Sequence, residues 1–400
     1  MDTPTPIGFR YGKSDQQPVC IPLDLRLRHT HVIGRTETGK STLIEHMALH
    51  DIQGGHGVAV LDPHGSLVER LLSLIPRGHI DRVVYLKPGD PGWVPIWNPL
   101  LSKNTPGQGQ VIDALARSFS AGSFGHRSEH VLRQTLPVVL QLPNGNLLDV
   151  LNLIRRGPSR NAGVLRRALK SLDDPITRRF WQQEFRKYTP HELKCSVRLL
   201  QRLFDSEPCS RMLSQRDTSF NLQDIMDSGK IMLVDLSSID PEASGIIGGL
   251  MLALLHLAAV GRRSNKDSSL RPFDVYCDDA HRVVSDPLDD LIAESRRFEV
   301  SLTLAHQDMS QFIAHEAALS SAGSTIILNV ASNDAQLLRK NLQGKVEVGD
   351  LVALDVGWAI ARIGVEVVWF RTSPPLEIPS DNCRDLIVQQ SHERYYRPMR

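Results

Sequence analysis

Length and composition restrict the class of this protein. The chain has 400 residues, 41% hydrophobic and 23% charged, which is enough apolar material for one large core or two moderate ones. Five scattered cysteines without C-x-x-C spacing, and the lack of an N-terminal signal-peptide pattern, argue against a secreted disulfide scaffold and predict reduced thiols and a cytoplasmic location.

The first motif in chain order is HVIGRTETGKSTLIEHM, residues 31–47, which contains the spacing G-x-x-x-x-G-K-[ST]. A buried strand is predicted to end at Ile33, and a helix is predicted over residues 41–49. A loop in this setting wraps phosphates with backbone N–H groups, places Lys40 on the β/γ oxygens and places the Ser41 hydroxyl on Mg²⁺. The alternative is a Gly-rich turn with a chance lysine.

The motif therefore predicts that ATP and Mg²⁺ bind at one continuous segment. The predicted nucleotide-binding residues are Gly34, Arg35, Thr36, Glu37, Thr38, Gly39, Lys40, Ser41 and Thr42. Glu37 occupies a free position of the motif, and because its charge opposes a polyanion we expect it to face solvent or a neighbouring subunit.

The next segments alternate between strand and helix patterns. HGVAVLDPHGSLVERLLSLIP predicts a buried strand ending at Asp62 and a helix from Leu67 to Ile75, and DRVVYLKPGD predicts a further strand. This alternation indicates an α/β fold with a parallel sheet and a ligand at the carboxyl ends of its strands. Residues 1–30 are expected to form a short N-terminal segment and 31–104 the first part of an ATPase core.

Residues 105–224 show only helix patterns and are predicted to form an all-α insertion. Between Leu151 and Leu203 there are 13 Lys or Arg residues and four acidic residues, an excess of nine positive charges. Such a block suits a nucleic-acid backbone or the solvated side of ordinary helices. We expect Arg166, Arg167, Arg178 and Arg179 to lie on an exposed helical surface used by DNA or a partner protein, because burying unpaired cations is costly.

Strand patterns resume in residues 225–375, the predicted second part of the core. The apolar run from Gly245 to Val260 is shorter than a membrane span and contains His256, so it predicts a buried core helix and no direct membrane insertion. The C-terminal tail, residues 376–400, is polar and is expected to pack loosely.

Two segments offer the carboxylates that an ATP site needs at a strand end. IMLVDL supplies only Asp235, whereas FDVYCDDAHR supplies the adjacent pair Asp278 and Asp279, which fits better. The alternative for the pair is a structural role as a helix cap.

Six motifs in order resemble the HerA/FtsK superfamily of ring-forming, DNA-pumping ATPases, with the closest similarity to its HerA-like and TraG/TraD-like coupling-protein branches. They are HVIGRTETGKST, VLDPHGSLVERLL, IMLVDLS, VYCDDAHRVV, AESRRFEVSLTLAHQ and AGSTIILNVASNDA, within residues 25 to 375. The resemblance implies a RecA-like P-loop core, a hexameric ring and double-stranded DNA in a central channel.

The resemblance also implies roles for single residues. Lys40 and Ser41 match the phosphate and Mg²⁺ ligands, and Asp278 matches the acid of the metal shell. Asp279 stands where the family usually has a catalytic Glu, and its shorter side chain retracts the carboxylate by about 1.5 Å. Gln307 matches the sensor of the γ-phosphate.

Two further positions can be compared with the resembled family. Arg296 matches the arginine that family members insert into a neighbouring subunit's site, with Arg297 as the alternative donor and a surface salt bridge as the structural alternative for both. Glu37 replaces a Gly that is common in the family's loop.

Three functions are open at this point. The first is a cytoplasmic hexameric motor that translocates double-stranded DNA, working with a nuclease or effector partner. The second is a conjugative type IV secretion coupling ATPase docked on a separate membrane channel. The third is a slow ATP-binding scaffold for an effector assembly.

Overall fold

One large mixed sheet organises the chain, whose computed structural model describes residues 3–10, 17–101, 109, 112–113, 115–116, 126–160, 162–262, 270–283 and 288–399. The strands are β1 (Thr5–Arg10), β2 (Pro18–Ile21), β3 (Thr30–Ile33), β4 (Gly57–Asp62), β5 (Val83–Leu86), β6 (Trp93–Pro95), β7 (Ile231–Asp235), β8 (Phe273–Cys277), β9 (Val300–His306), β10 (Ser324–Ile327), β11 (Trp358–Ile363), β12 (Glu366–Arg371) and β13 (Tyr396–Pro398).

The α-helices flank this sheet and build the segment between β6 and β7. They are α1 (Leu23–Arg26), α2 (Lys40–Gln53), α3 (Ser66–Leu74), α4 (His126–Leu140), α5 (Leu147–Arg160), α6 (Ala162–Ser171), α7 (Pro175–Arg179), α8 (Pro190–Asp205), α9 (Glu207–Leu213), α10 (Leu222–Asp227), α11 (Pro241–Gly261), α12 (Leu288–Glu294), α13 (Glu316–Ser320), α14 (Ser332–Asn341), α15 (Val348–Val352) and α16 (Arg384–Tyr395).

The main sheet has eleven strands in the order β2-β1-β12-β11-β10-β3-β9-β8-β4-β7-β5. From β10 to β5 every neighbouring pair is parallel, whereas β11, β12, β1 and β2 run antiparallel to their neighbours. The predicted α/β fold with a parallel-rich sheet is confirmed. In register, the carboxyl ends of β3, β9, β8, β4 and β7 meet at one edge of the sheet.

Alternating side chains of the central strands enter two separate cores. On β4, Val58 and Val60 belong to the core that includes apolar residues of α2 and α3. Ala59 and Leu61 belong to the core that includes α11 and the helical segment. Burial on both faces explains why β4 reads as a continuous apolar run, and it fixes the position of its terminal acid, Asp62.

The segment between β6 and β7 is helical in its described part, α4 to α10, as predicted. Phe180, Trp181 and Phe185 pack against one another in its interior, and the Trp181 indole N–H donates to the carbonyl of Gln134 at 2.8 Å. The predicted start near residue 105 lies outside the described residues. The predicted end at residue 224 falls within α10, so the chain leaves this segment only after Asp227.

The cationic block of this segment is largely exposed. Arg166, Arg167 and Arg179 are exposed, whereas the expectation is wrong for Arg178, which is half-buried. Its guanidinium donates to the carbonyl of Leu172 at 2.5 Å, so it is used within the segment. Further exposed cations are Arg155, Lys170, Arg186, Lys187, Lys194 and Arg198, and the side chains of Arg156 and Arg160 lie outside the description.

Helix α11 contains the apolar run Gly245 to Val260. It is long and apolar enough to cross a membrane by length and composition, and 78% of its apolar window is buried inside the fold. Leu250 and Leu255 on this helix are at most 1% exposed within the main core. The predicted buried core helix is therefore observed.

The expectation of a loosely packed tail is wrong. Ile387, Ser391 and Tyr395, spaced four apart on α16, are buried, and β13 pairs with β6. The Tyr396 hydroxyl accepts from the backbone N–H of Lys87 at 2.8 Å. A polar helix that buries one narrow stripe has weak hydrophobic periodicity, which is why the sequence pattern did not reveal this docking.

Candidate active site

The phosphate-loop motif joins β3 to α2 and has the conformation that its glycines require. Gly39, immediately before α2, has a φ of +108°, a conformation that residues with a Cβ rarely adopt. A Cβ on Gly34 would lie 2.8 Å from both Leu328 Cβ and Thr38 Oγ1. Both glycines are therefore required for this tight turn beside β10.

Lys40 lies over the loop that it follows. Its Nζ donates to the carbonyls of Gly34 at 2.8 Å and Arg35 at 2.9 Å, and the side chain is buried. Burial lowers the pKa of the Lys40 ammonium, while the carboxylates of Asp279 and Asp278 act in the opposite direction. The amine is thus positioned by backbone carbonyls at the start of a helix, where anions bind well.

Glu37 is exposed, in agreement with the expectation that it faces solvent. Its φ of +64° is left-handed, a conformation that costs a residue with a side chain about 1 kcal/mol. A Gly at this position, as in the resembled family, would adopt the same backbone without that cost.

Ser41 and Asp278 meet at the carboxyl edge of the sheet. The Ser41 hydroxyl donates to Asp278 Oδ2 at 2.5 Å, and Asp278 Oδ1 accepts from the N–H of Asp279 at 3.0 Å. Burial raises the pKa of Asp278, as do the carboxylates of Asp62 and Asp279, while the Ser41 hydrogen bond lowers it. A hydroxyl and a carboxylate are hard oxygen ligands that suit Mg²⁺, and a divalent cation would relieve this crowding of acids.

Asp279 follows Asp278 in a left-handed conformation, with φ of +42°. Gln307, directly after β9, donates from Nε2 to Asp279 Oδ1 at 3.2 Å and Oδ2 at 3.4 Å. The Gln307 amide oxygen accepts from the hydroxyl of Thr36 in the phosphate loop at 3.1 Å. These contacts bring the predicted acid, sensor and loop together across the sheet edge.

One residue at this edge was missed by sequence reasoning. His64, in the turn after β4, places Nε2 2.7 Å from Asp279 Oδ2. Its backbone N–H donates to Asp62 Oδ1 at 2.8 Å, which fixes the turn. The motif DPHG carried the available signal, a histidine two residues beyond a strand-end acid.

The competing acid, Asp235, is used elsewhere. Its Oδ2 lies 2.8 Å from the ammonium of Lys87, and its Oδ1 accepts from the hydroxyl of Ser237 at 2.6 Å. Asp62 accepts from the backbone N–H groups of Leu67 and Val68 and holds the start of α3. Of the strand-end acids, Asp278 is thus the one that contacts the phosphate-loop helix.

Arg296 is not brought to these residues within the chain. Arg296 and Arg297 lie in the turn Ser295–Phe298 before β9 and are both exposed. Within the described ranges, neither side chain forms an ion pair.

A cavity of about 880 Å³ opens beside the phosphate loop, and its size suits a nucleoside. Lys40, Ser41 and Thr42 line one side. Residues of β1, of β11 and the turn before it, and of β12 and the segment after it line the other: Phe9, Arg10, Val356, Gly357, Trp358, Arg371, Thr372, Ser373, Pro374 and Pro375. Sequence reasoning missed this wall because antiparallel strand pairing assembles it from both ends of the chain.

The sheet order and the phosphate loop together define a P-loop α/β architecture. No protein-family profile matches the chain, and no curated protein sequence matches it. Solved structures do match. The plasmid coupling protein TrwB in complex with ADP and Mg²⁺ has a TM-score of 0.69 at 15% identity, covering 92% of this chain and 90% of TrwB. VirB4 of Thermoanaerobacter pseudethanolicus has a TM-score of 0.61 at 14% identity, covering 93% of this chain and 97% of VirB4.

These similarities extend over nearly the whole chain, the helical segment included. They show that the chain shares the overall fold of these two proteins. The chain has the RecA-like P-loop α/β fold.

Proposed function

We propose that this protein is a cytoplasmic, ring-forming ATPase that couples hydrolysis to translocation of double-stranded DNA. The observation that carries the proposal is the site in which Ser41 of the loop helix contacts Asp278 and Gln307 joins Thr36 to Asp279. A fold shared with the coupling protein TrwB over 92% of the chain supports the same function.

ATP and Mg²⁺ are the proposed ligands, as they are for TrwB, whose structures contain ADP with Mg²⁺ and an ATP analogue. The phosphates would lie on the amides of residues 34–42, and the nucleoside in the cavity lined by Phe9 and Trp358. Ser41 and Asp278 would hold Mg²⁺, which neutralises phosphate charge when bound. Lys40 would move from the loop carbonyls to the phosphate oxygens.

Hydrolysis needs an oriented water and a cation for the charge on the transferred phosphoryl. Asp279 and Gln307 lie together at the loop and are proposed to orient the water. Arg296, exposed and without an ion pair to a described residue, is proposed to enter the neighbouring subunit's site. This requires a homo-oligomer, which we propose is a hexamer.

The helical segment is proposed to contact DNA or a partner protein through its exposed cations. Arg166, Arg167 and Lys170 on α6, with Arg198 on α8, are exposed, and no ion pair neutralises them within the described part of the chain. When protein cations neutralise DNA phosphates, the counterions condensed on the DNA are released, which favours binding at low salt. A nuclease or effector protein is the proposed partner of the ring.

A conjugative coupling ATPase is the second candidate. Its support is the similarity to TrwB, which is itself a plasmid coupling protein. It requires docking on a separate membrane channel. The third candidate, a slow ATP-binding scaffold, is supported by the short acid Asp279 and by Glu37 in the loop.

The test is ATP turnover by the full chain with and without linear duplex DNA, with Lys40→Ala as the inactive control and particle mass measured with ATP. Turnover that DNA stimulates, by particles of six chains, is expected. An equal rate of ATP hydrolysis with and without DNA would favour the scaffold function and contradict the motor function. Co-fractionation with membranes only when transfer proteins are present would favour the coupling ATPase.

A further inference from the structure

The Asp279 carboxylate is engaged by protein donors on both oxygens. Oδ2 lies 2.7 Å from His64 Nε2, and Gln307 Nε2 lies 3.2 Å from Oδ1. Both carboxylate oxygens therefore already accept from protein donors, and the side chain is one methylene shorter than Glu. Its strongest contact is with the imidazole.

The contact between His64 and Asp279 sets the proton positions on the imidazole. Because a carboxylate only accepts hydrogen bonds, Nε2 carries the proton and Nδ1 of the neutral ring has a free lone pair. Among the residues that the structure describes, Nδ1 has no hydrogen-bond partner, and the side chain is 46% exposed. The free nitrogen is therefore accessible to water.

His64 lies in the same electrostatic environment as the phosphate loop. Burial lowers the pKa of His281, the carboxylate of Asp279 raises it, and Arg282, His64 and Lys40 lower it further. His281 thus lies within electrostatic range of Asp279, His64 and Lys40. Asp279 itself has a left-handed φ of +42°.

From this geometry we propose that His64 and Asp279 form a dyad in which His64 Nδ1 accepts the proton of the attacking water. This proposal rests on the ATPase function proposed above. The water oxygen forms a bond to the γ-phosphorus while the bond from that phosphorus to the β–γ bridging oxygen breaks, and the electron pair of that bond stays on ADP. The water proton passes to Nδ1, and Asp279 stabilises the imidazolium that forms, as an acid does when it orients a catalytic histidine.

The dyad explains how a short acid can serve at this position. In the dyad the imidazole takes the proton in place of the short carboxylate, and the contact of Asp279 with Nε2 keeps Nδ1 as the basic nitrogen. The competing role for His64 is an anchor that only positions Asp279, with the carboxylate taking the proton itself. The two roles predict different variants to be active.

Two substitutions of His64 separate these roles. His64→Gln keeps an N–H donor for Asp279 but has no basic nitrogen, and His64→Ala removes both. The dyad predicts that both variants lose about 100-fold or more in kcat, while affinity for a fluorescent ATP analogue stays close to wild type. Added imidazole should restore part of the rate of His64→Ala. An anchor predicts near wild-type turnover for His64→Gln, and that result would overturn the proposal.

Asp279→Glu provides a second, independent readout. The longer carboxylate reaches a water directly, so Asp279→Glu combined with His64→Ala should turn over faster than His64→Ala alone. A double variant no faster than His64→Ala, without imidazole rescue, would contradict the dyad. His281→Gln is the matched control, a neighbouring histidine without an assigned role, and it should retain most of the wild-type rate.

The outcome also distinguishes the dyad from the ATPase function. If the wild-type chain binds ATP but does not hydrolyse it with or without DNA, the proposed function fails. If the wild type hydrolyses ATP and His64→Gln is equally fast, only the dyad fails.

Discussion

Ser41 on α2 and Asp278 after β8 are joined by a hydrogen bond of 2.5 Å although 237 positions separate them in the chain. The contact places a hydroxyl and a carboxylate, from two elements of one sheet edge, where they can share one cation. Ser41 lies in the first turn of α2 and Asp278 directly follows β8, so regular elements of the fold position both residues.

Replacing Asp278 tests the metal site. Asp278→Asn keeps the size of the side chain and removes its charge, so we expect Mg²⁺-dependent ATP affinity to fall about tenfold or more. Calorimetric titration of ATP with Mg²⁺ and with a chelator measures this. Asp235→Asn is the matched control at the competing strand end, where the carboxylate pairs with Lys87. A loss of affinity in Asp235→Asn and none in Asp278→Asn would reverse the assignment.

Mixed rings test whether Arg296 acts in a neighbouring subunit. Arg296→Ala should keep ATP binding and lose about 10³-fold in hydrolysis, because the cation for the transferred phosphoryl is missing. Rings mixed with Lys40→Ala subunits, also inactive alone, should regain activity wherever an intact loop faces an intact Arg296. Arg297→Ala is the control. If mixed rings form and stay inactive, another residue is donated.

The salt dependence of DNA binding tests the helical segment. Arg166→Glu, Arg167→Glu and Arg179→Glu together should weaken duplex binding and reduce the slope of log K against log salt by about 0.9 for each phosphate that is no longer neutralised. Basal ATP turnover should not change. The control reverses three exposed cations outside the segment: Arg28, Arg77 and Lys340. If both triple variants weaken duplex binding equally, the cationic surface of the segment is an ordinary solvated surface and not a DNA-binding site.

His29 predicts a loss of stability in acid. Its Nδ1 accepts from the N–H of Leu302 at 3.1 Å and its Nε2 donates to the carbonyl of Ile292 at 2.8 Å, so both nitrogens are used by the neutral ring. Burial lowers the pKa of His29 to about 4, with a smaller lowering from Arg26. Between pH 6.5 and about 4, His29 is therefore protonated in the unfolded chain and neutral in the folded chain.

The stability that neutral His29 gives the folded state is fully present above pH 6.5 and is lost as the pH falls from 6.5 to about 4. The expected slope is about 1.4 kcal/mol per pH unit in the free energy of unfolding. Urea unfolding at several pH values measures it for the wild type and for His29→Asn, since Asn tolerates the left-handed φ of +71°. His29→Asn should show a shallower slope, and parallel curves would contradict the assignment.

The local parts of the fold were readable from the sequence. Gly34, Gly39, Lys40 and Ser41 lie within eight consecutive positions, so their spacing alone specifies the turn and the helix start. The buried strands β4, β7 and β8 were readable too, because burial on both faces produces apolar runs that polar segments interrupt. The adjacent acids Asp278 and Asp279 follow such a run and were recognised for that reason.

The rest of the site depends on contacts between distant segments. His64 lies 215 positions from Asp279, and nothing near either residue indicates their contact. The cavity wall unites Phe9 of β1 with Arg371 of β12 through antiparallel pairing that also has no local signal. The tail was misjudged for a related reason, since α16 buries only one residue in four against a partner that the chain forms elsewhere.

By itself, then, the sequence determined the P-loop, the order of strands and helices, and the helical segment, because hydrophobic periodicity and glycine conformation act over a few neighbouring residues. Only the tertiary structure decided that Asp278 rather than Asp235 contacts Ser41, that Gln307 joins Thr36 to Asp279, and that His64 completes the cluster. Sheet order and register determine these contacts. Both are set by the simultaneous packing of the two faces of the sheet.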